Sequence, residues 1–247
     1  MTELSNKTLA QIVTNNHRTA SVFEMHQLDF CCKGKRTLAQ ACSEKNIPLN
    51  LLVNELATIL EGSSGTCQVS FPFDRLTLTQ LADYIINTHH AYVKKELDPL
   101  FAYLQKVASK HGGRHPELLK IFDLFTSLKE EMEEHMKKEE LILFPRIKEI
   151  EKYISGGQEL QGSISYLSAP ITVMEQEHDH AGRLMQEMRL LSNQYTPPAD
   201  ACTTYQLSFA SLKAFEMDLH QHVHLENNIL FPKAITMFKS VKESTFN

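Results

Sequence analysis

The sequence contains no tryptophan, and glycine and proline are sparse, with nine of each in 247 residues. Because these two residues mark most turns and loops, their scarcity favours long helices over sheets. No apolar run approaches the roughly 20 residues that cross a bilayer, so no membrane span is expected. The first residues lack a basic start followed by an apolar stretch, so no secretion signal is expected.

The charge balance is mildly acidic, with a net charge of −5 and no long run of Lys or Arg. Binding to nucleic acid or to a membrane surface is therefore not expected. The five cysteines are an odd number in a chain that looks intracellular, which favours reduced thiols over a disulfide framework. Histidine is the compositional excess: there are twelve, often beside acidic residues.

The chain divides by pattern into three parts. Residues 1–62 predict a small helical domain, with a first helix ending near Phe30, a second over Thr37–Lys45 and a third after Pro48. Residues 63–75 read as a linker. Residues 76–247 predict an all-α, antiparallel four-helix bundle, because short connections make successive helices antiparallel neighbours. The four helices are expected at about 77–109, 117–152, 170–193 and 198–239.

The bundle contains an internal repeat. His135–Pro145 and His222–Pro232 align without gaps, and both read H-x-x-x-E-x-x-x-L-F-P. Each copy follows an earlier histidine by about 45 residues: His90 precedes the first and His178 the second. The bundle is therefore predicted to consist of two helical hairpins related by an approximate two-fold axis.

This repeat offers a complete ligand set for two metal ions. A His and a Glu four residues apart lie on one helix face, so each copy directs a nitrogen and a carboxylate to one point. If both carboxylates bridge, each ion gains two histidines and two oxygens, and an oxo or hydroxo bridge leaves room for a small ligand. Such mixed ligation suits two iron ions, whereas zinc usually takes four ligands. The predicted ligands are His90, His135, Glu139, His178, His222 and Glu226.

Helical register selects between neighbouring histidines. His178 is preferred to His180, because the positions that share the face of His180 are polar or charged. His90 is preferred to His89, whose face meets Glu96 at the next turn. The apolar residues predicted to share a face with His178 are Ile171, Met174, Ala181, Met185 and Met188.

Two acidic residues stand close to these ligands. Glu131 lies four residues before His135, and Glu177 immediately precedes His178. Either can accept an imidazole N–H or carry protons to the site, and both can equally be ordinary helix-surface acids. The sequence leaves these two interpretations open.

The Cys31-Cys32 pair is followed by Lys33, Lys35 and Arg36. Nearby positive charge favours the thiolate, so the pair is a candidate for redox chemistry, iron or sulfur handling, thiol exchange or reaction with nitric oxide. The alternative is a pair of reduced cysteines that only pack. The other three cysteines are predicted to be structural.

Taken together, these motifs resemble the RIC family (repair of iron centres), the ScdA/YtfE-like di-iron proteins. The resemblance covers nearly the whole chain and implies a hemerythrin-like four-helix bundle after a small N-terminal domain. It implies a di-iron centre at the six ligands above, in a cytosolic stress-response protein that restores iron–sulfur clusters damaged by nitric oxide or oxidants. The motifs that carry it are Leu28–Cys32, Lys35–Leu38, Ala41-Cys42, His111–Leu118, His135–Pro145, Glu177–Asp179, Ala201-Cys202 and His222–Pro232.

Three functions follow as hypotheses. The first is cluster repair, with damaged iron–sulfur proteins as partners and iron supplied from the bundle. The second is reduction of nitric oxide to N2O at the di-iron pair. The third is a hemerythrin-like sensor that binds O2 or NO. The small N-terminal domain is marginal by itself and is expected to dock on the bundle or on a partner subunit, so a homodimer is a further expectation.

Overall fold

The computed structural model describes residues 2–61, 73–154, 156 and 163–245. Residues 63–72 of the predicted linker, with Cys67, lie outside the described residues. Among the described residues no strand occurs, and an antiparallel bridge joins Thr8 to Thr37. The N-terminal helices are α1 (Thr2–Asn6), α2 (Leu9–Asn15), a 3-10 turn (His17–Thr19), α3 (Ala20–Met25), α4 (Leu38–Lys45) and α5 (Leu49–Glu61).

After a 3-10 turn at Phe73–Arg75, long helices follow, and the all-α prediction is confirmed. No helix in the described part of the chain is long and apolar enough to cross a membrane. These helices are α6 (Leu78–Ile85), π1 (Ile86–His90), α7 (Ala91–His111), α8 (Glu117–Lys138), π2 (Glu139–Leu143), α9 (Phe144–Ile154), α10 (Ser165–Leu191), α11 (Thr203–Leu225), π3 (Glu226–Leu230) and α12 (Phe231–Thr245).

The chain forms two compact units. The first, the N-terminal unit, contains Met1–Thr77 together with Val223–Lys233, and the second, the bundle unit, contains Leu78–His222 and Ala234–Asn247. The predicted boundaries at 62 and 76 did not anticipate that 223–233 groups with the N-terminal helices. Sequence periodicity gives no sign of this grouping, because these residues continue a bundle helix.

The N-terminal unit is organised by helix caps. Thr8 and Thr37 each accept the backbone N–H of a glutamine three residues on, whose side chain returns the bond, and these capping boxes start α2 and α4. The prediction of one helix continuing to Phe30 was wrong. Asn16 has extended dihedrals (φ −153°, ψ 101°) and caps the following 3-10 turn, and the last helical residue is Met25.

The bundle unit packs its helices side by side. Helix α7 lies against α8, α8 against α10, and α6 against α9. The ring of Phe215 on α11 meets Phe125 edge-on at 6.0 Å and Tyr92 at 6.5 Å, so α11 closes the same core. The apolar face predicted around His178 is buried along α10, which begins five residues earlier than predicted.

Three of the four long helices contain a wide π-helical turn, and each turn contains a predicted ligand. His90 ends π1, Glu139 begins π2 and Glu226 begins π3. π-Turns are rare and frequently occur at functional sites. The turn also shifts the helix register by one residue, so that Ile85 is fully buried and Ile86 is only half-buried.

Candidate metal centre

All six predicted ligands are buried, although His and Glu are rarely buried without a partner. None is more than 2% exposed. Five of them lie in the bundle unit: His90, His135, Glu139, His178 and His222.

Within the bundle unit these five side chains form two sets that share Glu139. In the first set, the Nε2 atom of His90 lies 3.1 Å from Nε2 of His222 and 3.3 Å from Oε2 of Glu139. In the second, the Nε2 atom of His135 lies 3.0 Å from Nε2 of His178 and 3.3 Å from the same oxygen. The ligand atoms of each set lie within 4.8 Å of one another.

The sixth predicted ligand, Glu226, is fully buried and lies one helical turn after His222. It begins π3 as Glu139 begins π2, so the two glutamates occupy equivalent places in their helices. Glu226 belongs to the segment 223–233 that groups with the N-terminal unit.

His135 is held by an acidic residue on the neighbouring helix. Its Nδ1 atom lies 2.9 Å from Glu177, whose other oxygen accepts a hydrogen bond from Lys138 at 2.5 Å. The hydrogen bond from His135, opposed by burial and reinforced by Lys138, lowers the pKa of Glu177 to about 2. Glu177 therefore lies next to a predicted ligand and fixes the orientation of its ring.

His90 has an equivalent partner, Glu140, which the sequence analysis missed. The Nδ1 atom of His90 lies 2.7 Å from Glu140, and Lys94 donates to the same carboxylate at 2.6 and 2.9 Å. Burial alone would raise the pKa of Glu140, but the hydrogen bonds from Lys94 and His90 lower it. The sequence feature that could have identified Glu140 is its position immediately after Glu139, on the helix expected to face His90.

The remaining candidates lie elsewhere in the bundle unit. Glu131 pairs with His180 at 3.2 Å, and both side chains are nearly half exposed, so the acidic partner of His135 is Glu177. His89 is buried beside His90, bonds to Asp218 at 2.9 Å and stacks on His222 at 5.6 Å.

These donor atoms suit cations. A neutral His135 that donates from Nδ1 to Glu177 presents the lone pair of Nε2 to Oε2 of Glu139, only 3.3 Å away. Two electron-rich atoms in a buried site repel each other unless a cation lies between them. Neighbouring ligands about 2.1 Å from one ion at right angles are separated by about 3.0 Å, close to the distances observed.

A cavity of about 530 Å³ opens beside His135 between α8 and α10. Its wall includes Glu177 and Lys138, the two residues that hold the His135 ring in place, and the buried methyl group of Ala181. The second ligand set therefore has space next to it for a small molecule.

The Cys31-Cys32 pair lies in the N-terminal unit, in the turn between α3 and α4. Cys31 is buried and Cys32 is half-buried. The pKa of the Cys31 thiol is raised well above its usual value by its hydrogen bond to Cys32, by burial and by the charge of Asp29. The expectation that the adjacent basic residues favour a thiolate at Cys31 was therefore wrong.

Comparison with known proteins places the chain in a family. Residues 81–234 match the Hemerythrin HHE cation binding domain, and residues 5–60 match ScdA_N, described as a domain of unknown function (DUF542). The chain is 35% identical over 226 residues to the iron-sulfur cluster repair protein ScdA of Staphylococcus epidermidis, covering 91% of this chain and 96% of the relative. It is 34% identical over 227 residues to the iron-sulfur cluster repair protein YtfE of Escherichia coli O157:H7, covering 92% and 96%. The chain therefore belongs to the ScdA/YtfE-like family, with a metal-binding site of the hemerythrin type in its helical bundle.

Proposed function

We propose that this protein repairs iron–sulfur clusters damaged by nitrosative or oxidative stress, and that it supplies iron for the repair from a di-iron centre. The relatives named as cluster repair proteins support the first part. The observation that carries the second part is the pair of buried ligand sets that share Glu139.

In this proposal Glu226 would be the second carboxylate that holds the metal pair. It follows His222 as Glu139 follows His135, it begins a π-turn in the same way, and it is equally buried. The four histidines and the two glutamates would then hold the two ions. When bound, two irons in such a site supply exchangeable, redox-active metal ions.

The side chains around the site hold its ligands in place. Glu177 and Glu140 each accept an N–H from a ligand histidine, which fixes the tautomer and makes the other ring nitrogen more basic. Each of these carboxylates also accepts from a lysine, Lys138 or Lys94. The lysines lower the pKa of the two carboxylates and so keep them ionised.

The proposal is tested by mixing the ferrous protein, under anaerobic conditions, with an aconitase-type enzyme whose cluster has been damaged by nitric oxide. Recovery of the hydratase activity is measured against an equal concentration of free ferrous iron. We expect faster and more complete recovery with the protein. Recovery no better than with free iron contradicts the proposal.

A second candidate is the reduction of two NO molecules to N2O and water, with the uptake of two electrons and two protons. The cavity beside His135 favours it, because this cavity offers a small molecule access to one ligand set. Gas analysis of the headspace over the reduced protein and NO decides between the candidates. Formation of N2O supports reduction, and a stable nitrosyl complex without gas contradicts it.

We also place this activity in the cytoplasm, where reduced thiols persist and damaged iron–sulfur proteins are available as partners. Binding of NO or O2 and formation of a homodimer stay predictions. Sedimentation of the purified protein over a range of concentrations tests the homodimer.

A further inference from the structure

A second cluster of metal-binding side chains lies in the N-terminal unit. Asp29, Cys31 and Cys32 bring a carboxylate oxygen and two sulfurs within 4.8 Å of one another. All three belong to the turn between α3 and α4, and none is among the six ligands of the bundle site.

The distances in this cluster match those around a single metal ion. The two Sγ atoms are 3.8 Å apart, and Sγ of Cys31 lies 3.4 Å from Oδ1 of Asp29. Two thiolates bonded at about 2.3 Å with a tetrahedral angle between them have their sulfurs about 3.8 Å apart. A thiolate and a carboxylate oxygen on the same ion are separated by about 3.5 Å. The sulfurs are also much further apart than the ~2.05 Å of a disulfide.

The turn holds these side chains in place through its backbone. Oδ1 of Asp29 accepts the backbone N–H groups of Cys31, Cys32 and Lys33 at 2.9 to 3.2 Å. A Cβ atom at Gly34 would lie 2.2 Å from the carbonyl oxygen of Phe30, so the chain can make this tight turn only with glycine there.

Asn228, which also belongs to the N-terminal unit, fixes the turn from outside. Its side-chain amide donates to the carbonyl oxygen of Cys31 at 2.8 Å and approaches that of Phe30 at 3.4 Å. The two cysteines are therefore anchored on both sides, and metal binding would require little reordering of the backbone.

The charge around the cluster and its exposure to solvent are both compatible with metal binding. Two thiolates and a carboxylate around a divalent cation leave one net negative charge, and the exposed residues Lys33 and Lys35 lie next to it in the chain. Cys31 is buried, but Cys32 is half-buried, so one side of the cluster opens to solvent. An ion can enter from that side, and its fourth position is open to water or to a ligand.

We propose that Asp29, Cys31 and Cys32 form a second metal site, which binds one thiophilic divalent cation of the ferrous or zinc class. This site is chemically distinct from the nitrogen and oxygen ligands of the bundle. The proposal does not depend on cluster repair, because it is tested by metal binding alone.

The test is a titration of the reduced, metal-free full-length protein with Co²⁺ under anaerobic conditions, followed by displacement with Zn²⁺. Sulfur-to-cobalt charge transfer in the near ultraviolet reports thiolate ligation, and the bundle site contains no sulfur. We expect the amplitude of this absorption to correspond to one sulfur-bound Co²⁺ per chain, in addition to the ions that the bundle site takes up, and the absorption to disappear when Zn²⁺ is added. Its absence, or saturation at less than half an equivalent, would overturn the proposal.

Variants assign the absorption to its ligands. We expect Cys32→Ser to abolish the two-thiolate spectrum, and Asp29→Asn, which keeps an acceptor oxygen for the turn, to weaken Co²⁺ binding at least tenfold. Cys42→Ser and Cys202→Ser are the matched controls and should leave the titration unchanged. Persistence of the full absorption in Cys32→Ser, or its loss in either control, would also overturn the proposal.

A measurement on the unmodified protein guards against misfolded variants. Zn²⁺ should slow alkylation of Cys32 at least tenfold and leave the rate at the exposed Cys202 unchanged. Equal rates at Cys32 with and without Zn²⁺ would count against the site. The double variant His135→Ala/His222→Ala should keep the sulfur absorption, which separates this site from the bundle centre.

Discussion

The two copies of the H-x-x-x-E repeat have the same ligand spacing but different residues between and after the ligands. In the first copy, Glu140 accepts from His90, and Lys138 donates to Glu177, the partner of His135. The residue after Glu140, Leu141, is 74% exposed. In the second copy the corresponding residues are Leu225, Asn227 and Asn228, of which the first two are buried.

This difference in the surrounding residues shows that the two copies of the H-x-x-x-E motif have different structural surroundings. The first copy lies in the bundle unit, where its charged residues orient the predicted ligands. The second copy, from Val223 on, belongs to the N-terminal unit, where His224 approaches Thr14 at 3.3 Å and packs edge-on against Phe30. The predicted metal ligation uses only two residues in each copy, which leaves the positions between and after them free to differ.

The largest expected effect is the loss of both metals when a shared carboxylate is removed. Because Glu139 belongs to both ligand sets, Glu139→Ala should lower bound iron from about two ions per chain to nearly none, and Glu226→Ala should do the same if the copies are equivalent. His178→Ala should remove one ion. Metal analysis after anaerobic reconstitution measures this, with the exposed Glu134→Ala as a control. Two irons retained in Glu139→Ala would refute the shared site, and unequal effects of the two glutamates would show that the copies are not equivalent.

The next effect concerns His224, which stands where the first copy has the exposed Lys137. Burial lowers the pKa of His224 to about 4, so between pH 6.5 and 4 the unfolded chain takes up a proton that the folded chain does not. The contribution of His224 to the free energy of unfolding is fully present above pH 6.5. It should fall by about 3 kcal/mol as the pH drops to 4. His224→Gln should remove this part of the pH dependence of urea unfolding in the metal-free protein, and Lys137→Gln should not. An unchanged slope in His224→Gln would contradict the assignment.

The acidic partners give a smaller effect. Glu140→Gln and Glu177→Gln should each weaken metal binding by roughly 10- to 100-fold, because a carboxylate that orients a ligand histidine is typically worth that much. Competition with a chelator measures the affinity of each variant for the metal, and Glu134→Gln serves as the matched surface control. Wild-type affinity in both variants would mean that these carboxylates only form surface ion pairs.

The smallest effect tests the last difference between the copies. Asn228→Ala removes the hydrogen bond to the carbonyl of Cys31 and should lower the free energy of unfolding by about 1 kcal/mol. Leu141→Ala, at the equivalent position of the first copy, should change it by less than about 0.5 kcal/mol because the side chain is exposed. An equal decrease in the free energy of unfolding in Asn228→Ala and Leu141→Ala would contradict the structural distinction between the copies.

Much of this architecture can be predicted from the sequence. The repeat and the 3.6-residue period predict the four long helices, and the face of His178 is buried as its apolar neighbours indicate. The cap at Thr37 places the start of α4. These features are local, so a single sequence contains the information that determines them.

Other features depend on tertiary contacts and could not be predicted in this way. Glu140 is recognisable as the partner of His90 only when their two helices are side by side. The grouping of 223–233 with the N-terminal helices depends on contacts between residues about 200 positions apart, such as Asn228 and Cys31. The break at Asn16 is, by contrast, a local feature that the sequence indicates, because an asparagine is a common N-cap.

The wide turns at His90, Glu139 and Glu226 have a geometric consequence for the whole bundle. Each residue of an α-helix advances the chain by about 100°, so one additional residue in a turn rotates everything beyond it by that angle. Apolar stripes that would point in different directions along a straight helix can then face the same interior on both sides of the turn. Deleting one residue from any of the three turns would straighten the helix and rotate the part beyond the turn out of the core. The predicted metal ligands and the hydrophobic interior therefore depend on the same local irregularity.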